Sequence, residues 1–146
     1  MTKINMSKEE FETALVEHFP KLYKNMNGDP QQTCMSFGVA IDNGWFDLVW
    51  KLSEKLEPLL DENTYAEQVK SKFGTLRFYI SMYDDGEIEK LVSEAEEKSF
   101  TTCEVCGEEG KQRTGGWIVT LCDKHWAEKQ ADIKKLREKH NISQGE

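Results

Sequence analysis

Four residues near the C-terminus have the types and the spacing of a metal site. Two residues separate Cys103 from Cys106, two separate Cys122 from His125, and fifteen lie between the pairs. Thiolate and imidazole are preferred ligands of Zn²⁺, and two intervening residues let both members of a pair reach one ion. The spacing therefore predicts one zinc ion bound by these four side chains. Because protein ligands fill all four positions, we expect a structural role for the metal rather than a catalytic one.

The residues around the ligands indicate which elements position them. Gly107 directly follows the first pair and suits the positive φ of a metal knuckle. Residues 111–121 predict a β-hairpin, and a helix is predicted over residues 123–139. Cys122 and His125 then fall one turn apart at the start of that helix, on the same side. Knuckle, hairpin and helix is the order of a treble-clef zinc finger, and a zinc ribbon is the alternative topology.

Upstream of the metal motif, helix and strand patterns alternate. Ser7 and Glu10 have the spacing of a capping box, and Pro20 predicts the end of the first helix near Phe19. The apolar stretch Cys34–Ile41 predicts a strand. A second helix is predicted from one apolar stripe, which comprises Trp45, Leu48, Val49, Leu52, Leu56 and Leu59.

Two further strands and a third helix complete this part of the chain. The strands are predicted at Tyr65–Lys70 and Thr75–Ser81 around the Ser71–Gly74 turn, and Phe78 is expected to face the core. The third helix is amphipathic and includes Ile88–Ala95. We therefore predict an α+β fold, with helices on a small antiparallel sheet. Residues 1–100 form the α+β domain, and residues 101–146 form the zinc-binding knuckle, β-hairpin and C-terminal helix.

Composition and charge limit the function classes. The chain has 146 residues, 38% of them hydrophobic and 32% charged, which is typical of a soluble globular protein. The net charge of −8 arises within residues 1–100, because residues 101–146 carry eight groups of each sign. The negative electrostatic field of this charge repels phosphates, which disfavours non-specific binding of nucleic acid by the whole surface. The sequence shows neither a signal-peptide pattern nor a long apolar run, so we expect a cytoplasmic protein without membrane contact.

Basic residues beside aromatic ones form a candidate binding surface. Basic groups attract phosphates and aromatic rings stack on bases, so this combination is typical of single-stranded nucleic-acid binding. Half-buried packing of a sheet is the competing interpretation of the same residues. The candidate surface comprises Lys70, Lys72, Arg77, Tyr79, Lys111 and Arg113.

Several sequence elements together resemble a family. This is a group of small uncharacterised proteins of bacteriophages and prophage-bearing bacteria with a C-terminal CxxC…CxxH motif. The resemblance covers residues 35–126 and implies a zinc site on the four residues named above and a bacterial host-cell setting. It implies no activity. The elements that carry it are Gly44–Phe46, Gln68–Lys70, Lys72–Tyr79, Thr102–Gly107, Gly115–Trp117 and Thr120–Asp123.

These observations lead to three functional hypotheses. The leading one is a non-enzymatic, zinc-containing binding protein of phage or prophage type that engages a host or phage protein, in host takeover or counter-defence. The first alternative is a nucleic-acid-binding zinc-finger adaptor that uses the basic residues. The second is a small-ligand binder, or an enzyme whose site is assembled from distant residues.

Overall fold

The computed structural model describes residues 6–26, 35, 38–81, 86–114 and 118–144. Within these ranges the chain has the predicted α+β fold. The last helix is longer than predicted and ends at Gln144. The helices are α1 (Lys8–His18), α2 (Phe46–Leu56), α3 (Glu87–Ser99) and α4 (Asp123–Gln144). The strands are β1 (Val39–Ala40), β2 (Ala66–Lys72), β3 (Thr75–Ile80), β4 (Lys111–Arg113) and β5 (Val119–Leu121).

The strands form two sheets. The larger has the order β1-β2-β3, and the smaller pairs β4 with β5. Both β2–β3 and β4–β5 are antiparallel, as predicted, whereas the short β1 adds a parallel pairing to β2. Of the strand predicted over Cys34–Ile41, only Val39 and Ala40 are strand among the described residues, and Cys34 lies outside them.

Local sequence signals set the limits of α1. The Ser7 side chain accepts a hydrogen bond from the Glu10 amide, and the Glu10 carboxylate accepts one from the Ser7 amide. This reciprocal pair is the predicted capping box. The helix ends at His18 with Phe19 as its C-cap, because Pro20 cannot continue the backbone hydrogen bonding.

The core lies between the helices and one face of the larger sheet. Phe78 is fully buried, as predicted, and so are Leu76 beside it and the stacked rings of Phe11 and Phe46, whose centroids lie 4.0 Å apart. Most of the predicted α2 stripe is buried or half-buried. Leu59 is the exception, with 40% of its surface exposed. The chain changes to a 3₁₀ turn at Glu57–Leu59, so the spacing of the α-helix no longer applies there.

Helix α3 closes the free edge of β3. Its Ser99 hydroxyl accepts a 2.8 Å hydrogen bond from the Leu76 amide, and its Glu96 carboxylate accepts a 2.9 Å bond from the Phe78 amide. Unpaired amides at a sheet edge would otherwise be open to another strand. These two side chains therefore provide hydrogen-bond acceptors for the amides at this edge and hold α3 against β3.

None of the helices, in the part of the chain that the structure describes, is both long and apolar enough to cross a membrane.

Candidate metal centre

The four predicted ligands converge in space. Their ligand atoms all lie within 4.8 Å of one another, so the cluster could hold a metal ion. The Sγ atoms of Cys106 and Cys122 are 3.8 Å apart, and Nδ1 of His125 lies 3.1 Å from Sγ of Cys122 and 3.7 Å from Sγ of Cys103. Three thiols and one imidazole are all potential donors to a single ion. The donor set and its separations thus fit a four-coordinate metal centre.

The first pair of ligands lies on a tight knuckle. Gly107 has the predicted positive φ, 78°, and its amide donates a 2.9 Å hydrogen bond to the Cys103 carbonyl. Burial opposes ionisation of the Cys103 thiol, but backbone amides directed at it, those of Cys122, Cys106 and Val105, outweigh burial and lower its pKa. Amides directed at a sulfur favour the thiolate, which is the form that binds metal.

The other two thiols differ in their surroundings. A hydrogen bond from the His125 amide holds the pKa of Cys122 below its usual range. Burial, together with the two neighbouring sulfurs, raises the pKa of Cys106 to about 11. Three thiolates this close repel one another unless a cation lies between them. The arrangement of the sulfurs is therefore suited to a bound cation.

Helix α4 positions the second pair of ligands. Cys122 precedes its first residue, and the Trp126 amide donates a 2.9 Å hydrogen bond to the Cys122 carbonyl. Nδ1 of His125 faces the sulfurs, while Nε2 lies 3.9 Å from a Glu128 carboxylate oxygen. A carboxylate on this side of the ring favours the tautomer in which Nδ1 is free to bind metal.

Arg113 connects the small hairpin to α4. Its Nη2 lies 2.7 Å from the Asp123 carboxylate, its Nε donates to the Leu121 carbonyl, and its guanidinium lies 5.6 Å from the Trp126 ring centroid. The hydrogen bond from Arg113 holds the pKa of Asp123 below its usual range. The contacts of Arg113 therefore stabilise the ligand-bearing end of α4.

Glu104 lies inside the knuckle and is buried, with 7% of its surface exposed. One carboxylate oxygen accepts a 2.7 Å hydrogen bond from the Thr120 amide on β5, and the other accepts one from the Ser71 hydroxyl on β2. Burial raises the pKa of this carboxyl group above its usual value. Glu104 thus connects the knuckle to both sheets.

The knuckle also contacts the residues that precede α2. The Gly44 amide donates a 2.7 Å hydrogen bond to the Glu104 carbonyl, and the Trp45 indole donates a 2.8 Å bond to the Thr102 carbonyl. The Trp45 side chain is fully buried. Trp45, a residue of the core, is thereby hydrogen-bonded directly to the segment that contains the first pair of candidate ligands.

The β4–β5 hairpin contacts the turn between β2 and β3. The Gln112 side chain donates a 3.1 Å hydrogen bond to the Phe73 carbonyl, and the Thr120 hydroxyl donates to the Gly74 carbonyl. A Cβ at Gly74 would lie 3.1 Å from the Val119 carbonyl carbon. The β4–β5 hairpin therefore holds this turn by its backbone.

The residues of the candidate binding surface do not all lie together. Lys70 and Arg77 are directly opposite each other on β2 and β3, and Tyr79 follows on the same face. Lys72 ends β2, with its ammonium 5.7 Å from the Phe73 ring centroid. Lys111 and Arg113 are on the other sheet, where Lys111 is exposed and Arg113 is engaged with Asp123 and Trp126.

Four structurally important residues were not singled out by the sequence patterns as parts of the site. They are Gly44, Trp45, Glu104 and Phe73. Their roles depend on contacts between segments far apart in the chain, and no local spacing encodes such contacts. The one available signal was the pair Phe73–Gly74, because a bulky residue before glycine is unusual in a short hairpin turn.

No protein-family model matches the chain, and no curated protein or solved structure is significantly similar to it.

Proposed function

We propose that this protein is a non-enzymatic, zinc-containing binding protein of phage or prophage type, and that it engages a host protein. Its zinc ion is structural and holds a treble-clef-like module against the α+β core. The observation that supports a protein partner most directly is the exposed ring of Phe73, at the tip of a hairpin that the metal-binding module holds in place.

The donor set favours zinc over other metals. Tetrahedral Zn²⁺ with Zn–S bonds of about 2.3 Å has sulfur–sulfur separations of about 3.8 Å. The Sγ atoms of Cys106 and Cys122 lie at this distance, 3.8 Å. The order of knuckle, β4–β5 hairpin and α4 supports the treble-clef assignment.

The same ligand set argues against metal catalysis. Catalytic zinc sites have three protein ligands and leave one position for water or substrate. Here four potential protein ligands lie within 4.8 Å of one another, which supports one shared ion at a point between Cys103, Cys106, Cys122 and His125. A zinc ion at that point has no open position, so the metal stabilises the fold.

Phe73 adopts a backbone conformation that its side chain disfavours. Its φ is 54° and that of Gly74 is 76°, and the two residues form a two-residue turn between the paired Lys72 and Thr75. Positive φ at both positions is the signature of a type I′ turn, in which Asn-Gly is the preferred sequence. A bulky residue there costs about 1–2 kcal/mol. A strained residue kept in place is a reason to infer a functional role.

Phe73 also has the properties of an interface anchor. Its side chain is 60% exposed, the largest such fraction among the aromatic residues that the structure describes. Aromatic residues on a rigid support are enriched among the side chains that dominate binding energy. The hydrogen bonds from Gln112 and Thr120 to this turn supply the rigidity. The metal site thus supports recognition indirectly, through the β4–β5 hairpin.

The phage setting rests on the sequence resemblance in residues 35–126, and the host protein is proposed as the partner from that setting. The net charge of −8 is a second reason to favour a protein over a nucleic acid as the partner. Host takeover or counter-defence would then be the biological role.

Affinity capture from bacterial lysate tests this function. Wild-type protein, Phe73→Asn and Phe100→Ala are immobilised in parallel, with and without nuclease treatment. Phe100 is a matched control, because it is a phenylalanine with 46% of its surface exposed, at the end of α3. We expect the wild type to capture one stoichiometric protein, and this capture should persist after nuclease treatment. Phe100→Ala should capture the same protein equally well, whereas Phe73→Asn should not capture it.

Three outcomes would contradict this expectation. Capture that disappears with nuclease would favour the nucleic-acid adaptor. Capture of a protein equally well by Phe73→Asn would remove Phe73 as the anchor. Capture of nothing in either lysate would favour the small-ligand binder or the enzyme.

A further inference from the structure

The outer face of the β2–β3 sheet has two cations side by side. Lys70 and Arg77 are direct partners in the antiparallel register, so their side chains project from the same face. The adjacent pair, Val69 and Phe78, is buried on the core side. The cations therefore lie on the side of the sheet away from the core, and Tyr79 lies beside them, with the Lys70 ammonium 5.8 Å from its ring centroid.

Arg77 has a hydrogen-bond donor without an acceptor. Its Nε is buried and has no partner among the described atoms. Neither Arg77 nor Lys70 forms an ion pair with any residue that the structure describes.

The outer face of the sheet is electrostatically unfavourable at this pair without a ligand. Like charges directly opposite each other on a sheet repel. A single oxyanion would remove the repulsion, because its negative charge neutralises the two cations while its oxygens accept hydrogen bonds from them.

We propose that Lys70 and Arg77 form a binding site for an oxyanion, a phosphoryl or carboxylate group. Because Arg77 Nε is buried, the two terminal guanidinium nitrogens make the contact, and their N–H groups match two oxygens of either group. Lys70 supplies a second charge from the adjacent strand. Binding of an oxyanion at this site does not require a protein partner at Phe73, so the two proposals are tested independently.

Nuclear magnetic resonance of the arginine Nε–H groups tests the site directly. The chain has only three arginines, so Arg113 and Arg137 serve as internal references. Inorganic phosphate is titrated into the metal-loaded protein, with sodium chloride adjusted to keep the ionic strength constant. We expect a saturable shift of the Arg77 signal and none of comparable size for the other two. The signal that disappears in Arg77→Lys is that of Arg77.

Lys70→Gln and Lys90→Gln form the matched pair of variants. Lys90 is an exposed lysine on α3, so its replacement changes the net charge equally without touching the site. We expect Lys70→Gln to raise the apparent dissociation constant for phosphate about tenfold, and Lys90→Gln to leave it unchanged. Backbone amide spectra of both variants report whether the fold is retained.

Parallel titrations identify the source of the anion. Stronger binding of phosphate than of acetate indicates a phosphoryl ligand, and the reverse indicates a carboxylate. Much tighter binding of a short oligothymidylate than of phosphate indicates a nucleic-acid backbone. Each of these supports the site. An Arg77 signal that does not shift, that shifts equally with chloride, or that responds identically in Lys70→Gln would overturn it.

Discussion

The Gly44 amide donates a 2.7 Å hydrogen bond to the carbonyl of Glu104, a residue between the first two candidate metal ligands. This brings the backbone before α2 into direct contact with the metal knuckle. A Cβ at position 44 would lie 2.1 Å from the Cys103 carbonyl oxygen and 2.5 Å from the Glu104 carbonyl carbon. Both obstacles are backbone atoms, so rotation of a side chain cannot relieve the overlap. Only glycine, which has no Cβ, therefore fits at position 44 without displacing the backbone of the knuckle.

Gly44→Ala is expected to destabilise the protein strongly. Separating the two backbones breaks the Gly44 hydrogen bond and strains the one from Trp45, so the free energy of unfolding should fall by about 3 kcal/mol or more. Urea denaturation, followed by tryptophan fluorescence, measures the change. Asn43→Ala is the control, because Asn43 is exposed and should change stability by less than about 1 kcal/mol. Equal stability of the two variants would contradict this account of the contact.

Removal of the metal should destabilise more than the module that binds it. Trp45, Gly44 and Glu104 connect the knuckle to the core, so chelation should lower the melting temperature of the whole chain by roughly 10 °C or more. Elemental analysis should find one zinc ion per wild-type chain. Cys122→Ser should lose the ion and melt as the chelated protein does.

Cys34→Ser provides the control for these metal measurements, because Cys34 is the one cysteine outside the predicted ligand set. It should retain a full equivalent of zinc. A wild-type chain purified with another metal, or melting that is insensitive to a chelator, would contradict a structural zinc site.

Glu104→Ala tests the connection between the knuckle and the two sheets. The substitution leaves the Thr120 amide buried without its 2.7 Å acceptor and removes the acceptor of the Ser71 hydroxyl. We expect a loss of about 2 kcal/mol in the free energy of unfolding, measured in urea on the zinc-loaded protein. Glu109→Ala, at an exposed position in the same segment, should change it little. Similar losses in both variants would show that Glu104 contributes only its charge.

Local spacing was sufficient to predict that Cys103, Cys106, Cys122 and His125 come together as a possible metal site. Each pair lies within four residues, and a knuckle or a helical turn brings its members together regardless of the rest of the fold. The register between β4 and β5 then joins the two pairs. The same reasoning explains why the capping box at Ser7 and the core position of Phe78 were predicted correctly, since each depends on a short period along the chain.

The rest of the site depends on contacts that sequence periodicity does not encode. Glu104 is an acidic residue in a polar segment, and only its position against β2 and β5 makes it buried. The turn between β2 and β3 was predicted over Ser71–Gly74, but the strand pairing continues to Lys72 and Thr75. The register therefore places Phe73 at a position that demands positive φ, a strain visible only once the pairing is known.

Phe73→Asn is expected to stabilise the protein while removing its anchor. Asparagine tolerates positive φ and is preferred before glycine in type I′ turns, so the free energy of unfolding should rise by about 1 kcal/mol. Phe73→Ala is the control, because it removes the ring but keeps a Cβ that disfavours this φ of 54°. Urea denaturation should rank Asn above both Ala and the wild type, whereas both variants should lose the captured partner. If Asn and Ala were equally stable, strain could not explain why phenylalanine occupies the turn, and the structural reason for a functional role there would disappear.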